Sequence, residues 1–215
     1  MKPVVIIGTG GHAREVAEIV QAMHAAGRCG PLLGFLTDTH DQHGQTVLGI
    51  PVLGAPEWLA GQAAAAIIAI GDNATRRRIA GRVAADWLAA ISPHAVISPH
   101  AVVQPGAMIF PGAVVGPLAV IGAPSIVNVG ASVSHDSVVG DWANLNPGAR
   151  IAGNVRVGEG ASIGMGASVI QGRAIGPWAV IGAGAAVVRD IPGHVTAVGV
   201  PARIRRQKAE GRSEP

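Results

Sequence analysis

The chain has 215 residues, of which 49% are hydrophobic and only 13% charged, with 31 Gly and 15 Pro. So much apolar residue with so little charge excludes a disordered chain and a charge-rich coiled coil. The formal net charge is +3, but with two Phe, four Trp and no Tyr the core must be aliphatic. Neither an aromatic stacking platform nor a continuous basic stripe is present, which argues against nucleic-acid binding. The single cysteine, Cys29, excludes an intramolecular disulfide and a Cys-based zinc site, and reads as a buried small apolar residue. The apolar run at the N-terminus, Val4-Val5-Ile6-Ile7, is too short for a signal peptide, and no apolar stretch reaches membrane-spanning length. A soluble cytoplasmic protein without a membrane span is expected.

Residues 1–90 read as a small parallel α/β domain. Val4–Ile7 is a buried strand, and Gly8-Thr9-Gly10-Gly11-His12 leads into a helix from Ala13 to Ala26. Leu32–Leu36 reads as a second strand that ends in Thr37-Asp38. Ala65–Ile70 is a third, followed by Gly71-Asp72-Asn73 and a helix from about Ala74 to Trp87. The turn satisfies G-x-G-x-x-A with Gly8, Gly10 and Ala13. Between a strand and a helix, its backbone N–H groups and the helix dipole favour a phosphate. About 90 residues give one mononucleotide-binding half, so a nucleoside-diphosphate group fits better than a dinucleotide. The plainer alternative is that Gly10 and Gly11 only serve the turn. The runs Arg76-Arg77-Arg78 and Arg203, Arg205, Arg206 with Lys208 are either solvated surface or phosphate contacts.

From Ile91 to Val187 an aliphatic residue returns every sixth position, seventeen times without a gap. Examples are Ile97, Val103, Ile109, Val133, Leu145, Ile163 and Ile181. Ala or Ser usually follows four residues later, and Gly or Pro fills many of the positions between. Six is a multiple of two but not of 3.6, so the marked residue keeps to one face of a strand and not of a helix. Gly and Pro break the strand and turn the chain. Short strand and corner in alternation make a parallel β-solenoid over residues 91–190, with the aliphatics stacked inside. Residues 191–215 form a closing segment and a tail, frayed over its last seven residues.

The repeat sorts the eight histidines. His135 falls two residues after the inward Val133, at a corner outside the aliphatic column. Asp136 follows it, and a carboxylate beside an imidazole favours and orients a proton-accepting histidine. Adjacent side chains diverge in extended chain, so the pair requires a special corner geometry. The plain alternative is an exposed polar corner. Asn128 likewise reads as a corner asparagine or as a ligand contact.

The seventeen hexads resemble those of the left-handed β-helix acyltransferases, in which three hexads make one triangular coil. Here they would give between five and six coils. With the α/β domain in front, nearly the whole chain resembles the nucleotide-sugar acetyltransferases of the bacillosamine-pathway N-acetyltransferase, perosamine N-acetyltransferase and sialic-acid O-acetyltransferase group. The stretches that carry this resemblance are Gly10-Gly11-His12, Gly34–Asp38 and Ala69–Asn73 with Arg76. It implies a Rossmann-like domain followed by a left-handed parallel β-helix, acetyl-CoA as co-substrate, no metal, and a homotrimer with acetyl-CoA in the groove between neighbouring helices. The acceptor it implies is a UDP- or GDP-linked amino sugar. Gly10, Gly11 and His12 would meet the diphosphate, Thr37 and Asp38 the nucleoside, and Gly71 and Asn73 the same cleft. Asn128 would lie near the acceptor sugar.

The same resemblance makes His135 the general base and Asp136 its acidic partner, where the bacillosamine branch typically has Glu. Asn144 stands where those enzymes often carry a second histidine. Gly153, Met165 and Ala183 match acetyl-CoA-contacting positions, and Arg203, in the closing segment Val198–Arg203, would meet CoA phosphate. Direct attack of the sugar amine on the thioester follows, since no nucleophile–base motif accompanies Cys29. Three alternatives stay open: O-acetylation of a sugar hydroxyl, a non-catalytic nucleotide-sugar-binding solenoid, and a zinc-dependent anhydrase on the same solenoid. The last needs convergent imidazoles. His94 and His100 share one hexad position, but His135 occupies another.

Overall fold

The computed structural model describes residues 1–207. It divides into two compact units, residues 1–93 with 105–108, and residues 94–104 with 109 onwards. The expected frayed tail and Lys208 lie outside the described residues.

The first unit is a parallel sheet flanked by helices. Strand β1 (Val4–Ile7) leads to helix α1 (Gly11–Ala25), then β2 (Leu32–Leu36), the short β3 (Thr46–Val47), β4 (Ile50–Gly54), β5 (Ala65–Ile68), α2 (Asn73–Ala80) and β6 (Asp86–Trp87). The order across the sheet is β3-β4-β2-β1-β5-β6, with only the β3–β4 pair antiparallel. All four residues of β1 and of β5 are buried, as a central parallel strand covered on both faces requires. One face holds Val5, Ile7, Leu36, Ala66 and Ile68 against Ile79 of α2. Helix α1 packs on β1 and β2 and buries Ala13, Val16, Ala17, Val20 and Met23, a stripe at helical spacing. The chain leaves β1 to one side for β2 and returns to its other side for β5. The crevice outside the carboxyl ends of β1 and β5 is therefore a topological switch point.

Three boundaries differ from those expected. Helix α1 begins two residues earlier, at Gly11, because Gly10 already has the extended conformation of an N-cap. Strand β5 ends at Ile68, two residues short of the expected Ile70. Helix α2 stops at Ala80, capped by Gly81, and Asp86–Trp87 pairs in parallel with β5 instead of continuing the helix. Cross-strand pairing there outweighs helix propensity.

The second unit is the solenoid. Two-residue strands recur every six residues from Val96–Ile97 to Ala186–Val187. Each pairs in parallel with the strand eighteen residues on, as in Val115↔Val133, Val139↔Val157 and Leu145↔Ile163. Three strands thus complete one coil and three flat faces result. Every marked aliphatic from Ile109 to Val187 is at most 2% exposed. The first two in this unit, Ile97 and Val103, are only half-buried. The small residues four positions on, such as Ala119, Ala131, Ala143 and Ala161, are fully buried, as is the larger Val155 at the same position of its hexad. The last coil is irregular. Ile191 bridges to Ile175, Thr196–Ala197 pair with Val180–Ile181, and Arg203–Gln207 folds back antiparallel on Val195–Val198. The final turn contains a cis Val200–Pro201 bond.

Inward and outward positions should separate sharply in urea unfolding followed by circular dichroism. Leu145→Ala removes a fully buried side chain and should cost about 2–5 kcal/mol. Val138→Ala, at an outward position that is 39% exposed, should cost less than about 1 kcal/mol.

Candidate active site

In the first unit the three predicted binding stretches all follow the carboxyl ends of parallel strands: Gly8–His12 after β1, Thr37-Asp38 after β2, and Ile70–Asn73 after β5. The fold demands glycine at Gly8, whose φ is +117° and whose added Cβ would lie 2.9 Å from the Ala69 carbonyl oxygen. Gly10 and Gly71 differ, since a Cβ there would meet nothing within 4 Å. Both are exposed, as is Gly11. Open space over the N-terminus of a fifteen-residue helix suits an anion.

His12 is enclosed behind this turn. Burial first, and then the charge of Arg76, lower its pKa from 6.5 to about 4. It is neutral near pH 7, so its 4.0 Å approach to Glu15 is not an ion pair despite the geometry.

Arg76 corrects the reading of the arginine run. It is fully buried, neither solvated surface nor a phosphate contact, while Arg77 and Arg78 are exposed. Its Nη1 donates to the carbonyls of Ile70 (2.8 Å) and Gly71 (2.9 Å), and Nη2 donates to Asn73 Oδ1 (3.0 Å). Burial lowers its pKa to about 10, so it stays charged. It ties the loop after β5 to α2, whose start is capped by Asp72 Oδ1 accepting from Thr75 N–H at 2.7 Å. Asn73 thus spends its side-chain oxygen inside the protein.

The loop after β2 supplies partners the sequence did not single out. Thr37 is buried, its hydroxyl accepts from Thr39 N–H (3.2 Å), and its carbonyl pairs with His43 Nε2 (2.9 Å). Thr9 donates to Gln42 Oε1 at 2.7 Å, which joins the glycine turn to this loop. Asp38 is exposed, but Arg82 grips both its oxygens at 2.9 Å and also reaches Glu57 at 2.6 Å. The hydrogen bonds from Arg82 hold both carboxyls below the ordinary carboxylate range. A carboxylate has about four lone-pair sites, so Asp38 can still accept from a ribose or base.

In the solenoid, the corner residues stack in columns of period eighteen. His135 and Asp136 occupy one corner, with side chains 58% and 44% exposed. Asp136 has φ +58°, and this left-handed turn brings adjacent side chains together. His135 Nδ1 lies 2.7 Å from Asp136 Oδ2. An ionised carboxylate only accepts, so Nδ1 carries the proton and Nε2 presents its lone pair. Gly153 is in the same corner column, one coil on. Its added Cβ would fall 2.5 Å from His135 Cε1 and 2.6 Å from Nε2.

The other solenoid residues lie elsewhere. Asn128, Met165 and Ala183 are at a different corner, whose column includes the left-handed glycines Gly130, Gly148, Gly166 and Gly184. Asn128 Oδ1 accepts from Val129 N–H at 2.7 Å. Asn144 is buried, on the face that precedes that corner. Arg203 sits in the last strand, with Nη1 on its neighbour's carbonyl, Ala202 O, at 3.0 Å. One chain thus brings His135, Asp136 and Gly153 together and leaves the others apart from them. Among the described residues no group of three or more His, Cys, Asp or Glu could hold a metal ion, and no helix is long and apolar enough to cross a membrane.

Acid should expose the enclosed His12. Its folded pKa lies below its unfolded value, so the stability it contributes is complete above pH 6.5 and falls as pH drops toward 4. Unfolding free energies from denaturant titrations at pH 7.5 and pH 5 should differ by about 2 kcal/mol more in the wild type than in His12→Gln. Equal pH dependence in the two proteins would contradict this burial.

Residues 3–83 match the family model of the PglD N-terminal domain. No curated protein matches the chain. Among solved structures, the chain is similar to PerB from Caulobacter crescentus, determined in complex with CoA and GDP-perosamine, at 36% identity, 96% coverage of this chain, 98% of that one and a TM-score of 0.85. It is similar to the acetyltransferase domain of PglB from Neisseria gonorrhoeae FA1090, in complex with acetyl coenzyme A, at 32% identity, 95% and 99% coverage and a TM-score of 0.85. WeeI from Acinetobacter baumannii AYE follows at 28% identity, 95% and 100% coverage and a TM-score of 0.84.

Proposed function

The chain belongs to the hexapeptide-repeat sugar acetyltransferases, a Rossmann-like unit followed by a left-handed parallel β-helix, and from that premise we propose that it moves the acetyl group of acetyl-CoA to the amino group of a nucleotide-linked amino sugar. The acceptor class is a UDP- or GDP-4-amino-4,6-dideoxy sugar. The observation that carries this reading is the His135 imidazole at an exposed corner, with Nδ1 committed to Asp136 at 2.7 Å and Nε2 left to accept a proton. The capture of CoA with GDP-perosamine in PerB, and of acetyl coenzyme A in PglB, supports both substrates.

The chemistry follows from the tautomer. The sugar amine attacks the thioester carbonyl carbon, the new C–N bond forms, and Nε2 takes the proton the nitrogen sheds. The C–S bond then breaks and the CoA thiolate leaves, to be protonated from the imidazolium. Asp136 stabilises that imidazolium while it exists. No covalent enzyme intermediate is required.

The first unit would hold the nucleotide. Gly10, Gly11 and His12 would take the diphosphate at the start of α1, Thr37 and Asp38 the nucleoside, and Gly71 and Asn73 the facing wall. A neutral His12 offers a hydrogen bond but no charge, so the helix N-terminus would carry the electrostatic share. Asn128 would meet the acceptor sugar. Asn144, Gly153, Met165, Ala183 and Arg203 would contact acetyl-CoA, with Asn144 donating through its amide to the thioester carbonyl. These residues lie on different corners and faces of successive coils. A homotrimer, in which one helix's corner faces another's, would let them share a ligand. Outward apolar residues at Val96, Val102, Val114 and Val138, all 39–66% exposed, are suited to such packing.

The test is release of free thiol from acetyl-CoA with a panel of UDP- and GDP-linked 4-amino sugars. One of them should give rapid release, and His135→Ala should lower kcat by at least about a hundredfold. A His135→Ala enzyme as fast as wild type would remove the base from the proposal. Transfer to a sugar hydroxyl and to no amine would convert the reading to O-acetylation.

A further inference from the structure

His135 lies in a corner column with Pro117 before it and Gly153 and Gln171 after it, each one coil apart. The ring lies against the backbone of Gly153, which is itself buried. A Cβ at Gly153 would stand 2.5 Å from Cε1, 2.6 Å from Nε2 and 3.1 Å from Nδ1. The backbone of Gly153 is not in the left-handed region, so the turn would accept alanine. The three atoms nearest to that Cβ all belong to the imidazole.

A second residue fixes the distance between the two corners. The buried position after Asp136 is Ser137, where the repeat elsewhere has Ala119, Ala131 and Ala143. Ser137 Oγ donates to Ala152 O at 2.8 Å and accepts from Val155 N–H at 3.1 Å. Those two backbone groups flank Gly153-Asn154. Asn154 N–H in turn donates to His135 O at 3.0 Å. The corner that bears His135 and the corner beneath it are thus tied at both ends.

We propose that Gly153 and Ser137 are positioning residues for His135: Gly153 is the bare floor on which the imidazole lies, and Ser137 is the clamp that holds the floor at contact distance. Asp136 sets the tautomer and the rotation of the ring, and the floor sets its plane. Together they fix the direction of the Nε2 lone pair. This rests on His135 as the base, and it assigns Gly153 a task separate from contact with acetyl-CoA. A misplacement of about 1 Å in a reacting group can cost about a hundredfold in rate.

Wild type, Gly153→Ala, Ser137→Ala and Gln171→Ala would be compared as full-length proteins. Readouts are kcat, KM for both substrates, and the ¹⁵N spectrum of the His135 ring, assigned by its absence in His135→Asn. Gly153→Ala should fold, lose at least about tenfold in kcat whatever its cofactor contact adds to the acetyl-CoA KM, keep the amino-sugar KM within about twofold, and lose the single Nδ1–H signature. Ser137→Ala, which restores the residue common in the repeat, should show the same changes at smaller amplitude, about threefold in kcat. Gln171→Ala should match wild type in all of them. A Gly153→Ala enzyme with normal kcat and a raised acetyl-CoA KM would make Gly153 a cofactor contact only and overturn the proposal. An unchanged ring spectrum in both Gly153→Ala and Ser137→Ala would overturn it too. If the wild type transfers no acetyl group, the functional reading fails, and the ring spectra alone still decide whether the floor and clamp exist.

Discussion

The second unit depends on one constraint: each coil satisfies its backbone hydrogen bonds on the next, eighteen residues along. Val114 N–H donates to Ala131 O, Ser132 N–H to Ala149 O and Arg150 N–H to Ala167 O, and the series continues around all three faces. Once that ladder forms, a side chain's neighbours are those one coil before and one coil after. The inward column must then be aliphatic, and the position four residues later is usually small. Corners need a left-handed residue at fixed positions, which most L-residues adopt only at a cost of about 1 kcal/mol. Glycine takes that place at 130, 148, 166 and 184, and Asp and Asn take it at 136 and 154. Asp136 therefore satisfies a demand of the backbone and, by the same turn, lays its carboxylate against His135.

The first unit obeys a different constraint. Its central strands are buried on both faces, so polar groups are excluded from the sheet and gather at its carboxyl edge. Arg76 shows how much this edge costs to close. A fully buried guanidinium is tolerated because three acceptors, two of them backbone carbonyls of the loop after β5, receive its protons. Its charge in turn helps to keep His12 neutral. The loop that closes one wall of the crevice and the ionisation state of the turn on the other wall, which burial sets first, are therefore linked through the same side chain.

The repeat was legible because period six admits a strand and no helix, and because seventeen consecutive occurrences leave no second register. The glycine turn was legible for a similar reason, as its spacing lies between an apolar run and an amphipathic helix. Arg82 was not, because its partners Asp38 and Glu57 are 44 and 25 residues away, and nothing local announces such a pairing. Arg76 was obscured by the run it belongs to. Helical spacing held the missing signal: Arg76 is three residues before the buried Ile79 and shares its face, while Arg77 and Arg78 turn away. The end of α2 was likewise marked by Gly81. Gly153 was readable as a match to a family position, and its contact with His135 became visible only when the offset of eighteen was applied to the histidine.

The shorter carboxylate beside His135 illustrates why residue type alone decides little at such a corner. One methylene less than glutamate would weaken a pair whose members extend toward each other across a gap. Here the two residues are adjacent in sequence and the left-handed φ of Asp136 folds them onto the same side, so the gap is short and aspartate spans it at 2.7 Å. A glutamate would have to fold its extra methylene to make the same contact, with additional rotamer entropy to lose. The pairing thus depends on the corner's backbone, and that backbone is fixed in turn by Asp136 N–H donating to Pro117 O at 3.1 Å and Asn154 N–H to His135 O at 3.0 Å. The coil before and the coil after hold the proposed base and its partner in register, so the same ladder that builds the helix orients the imidazole.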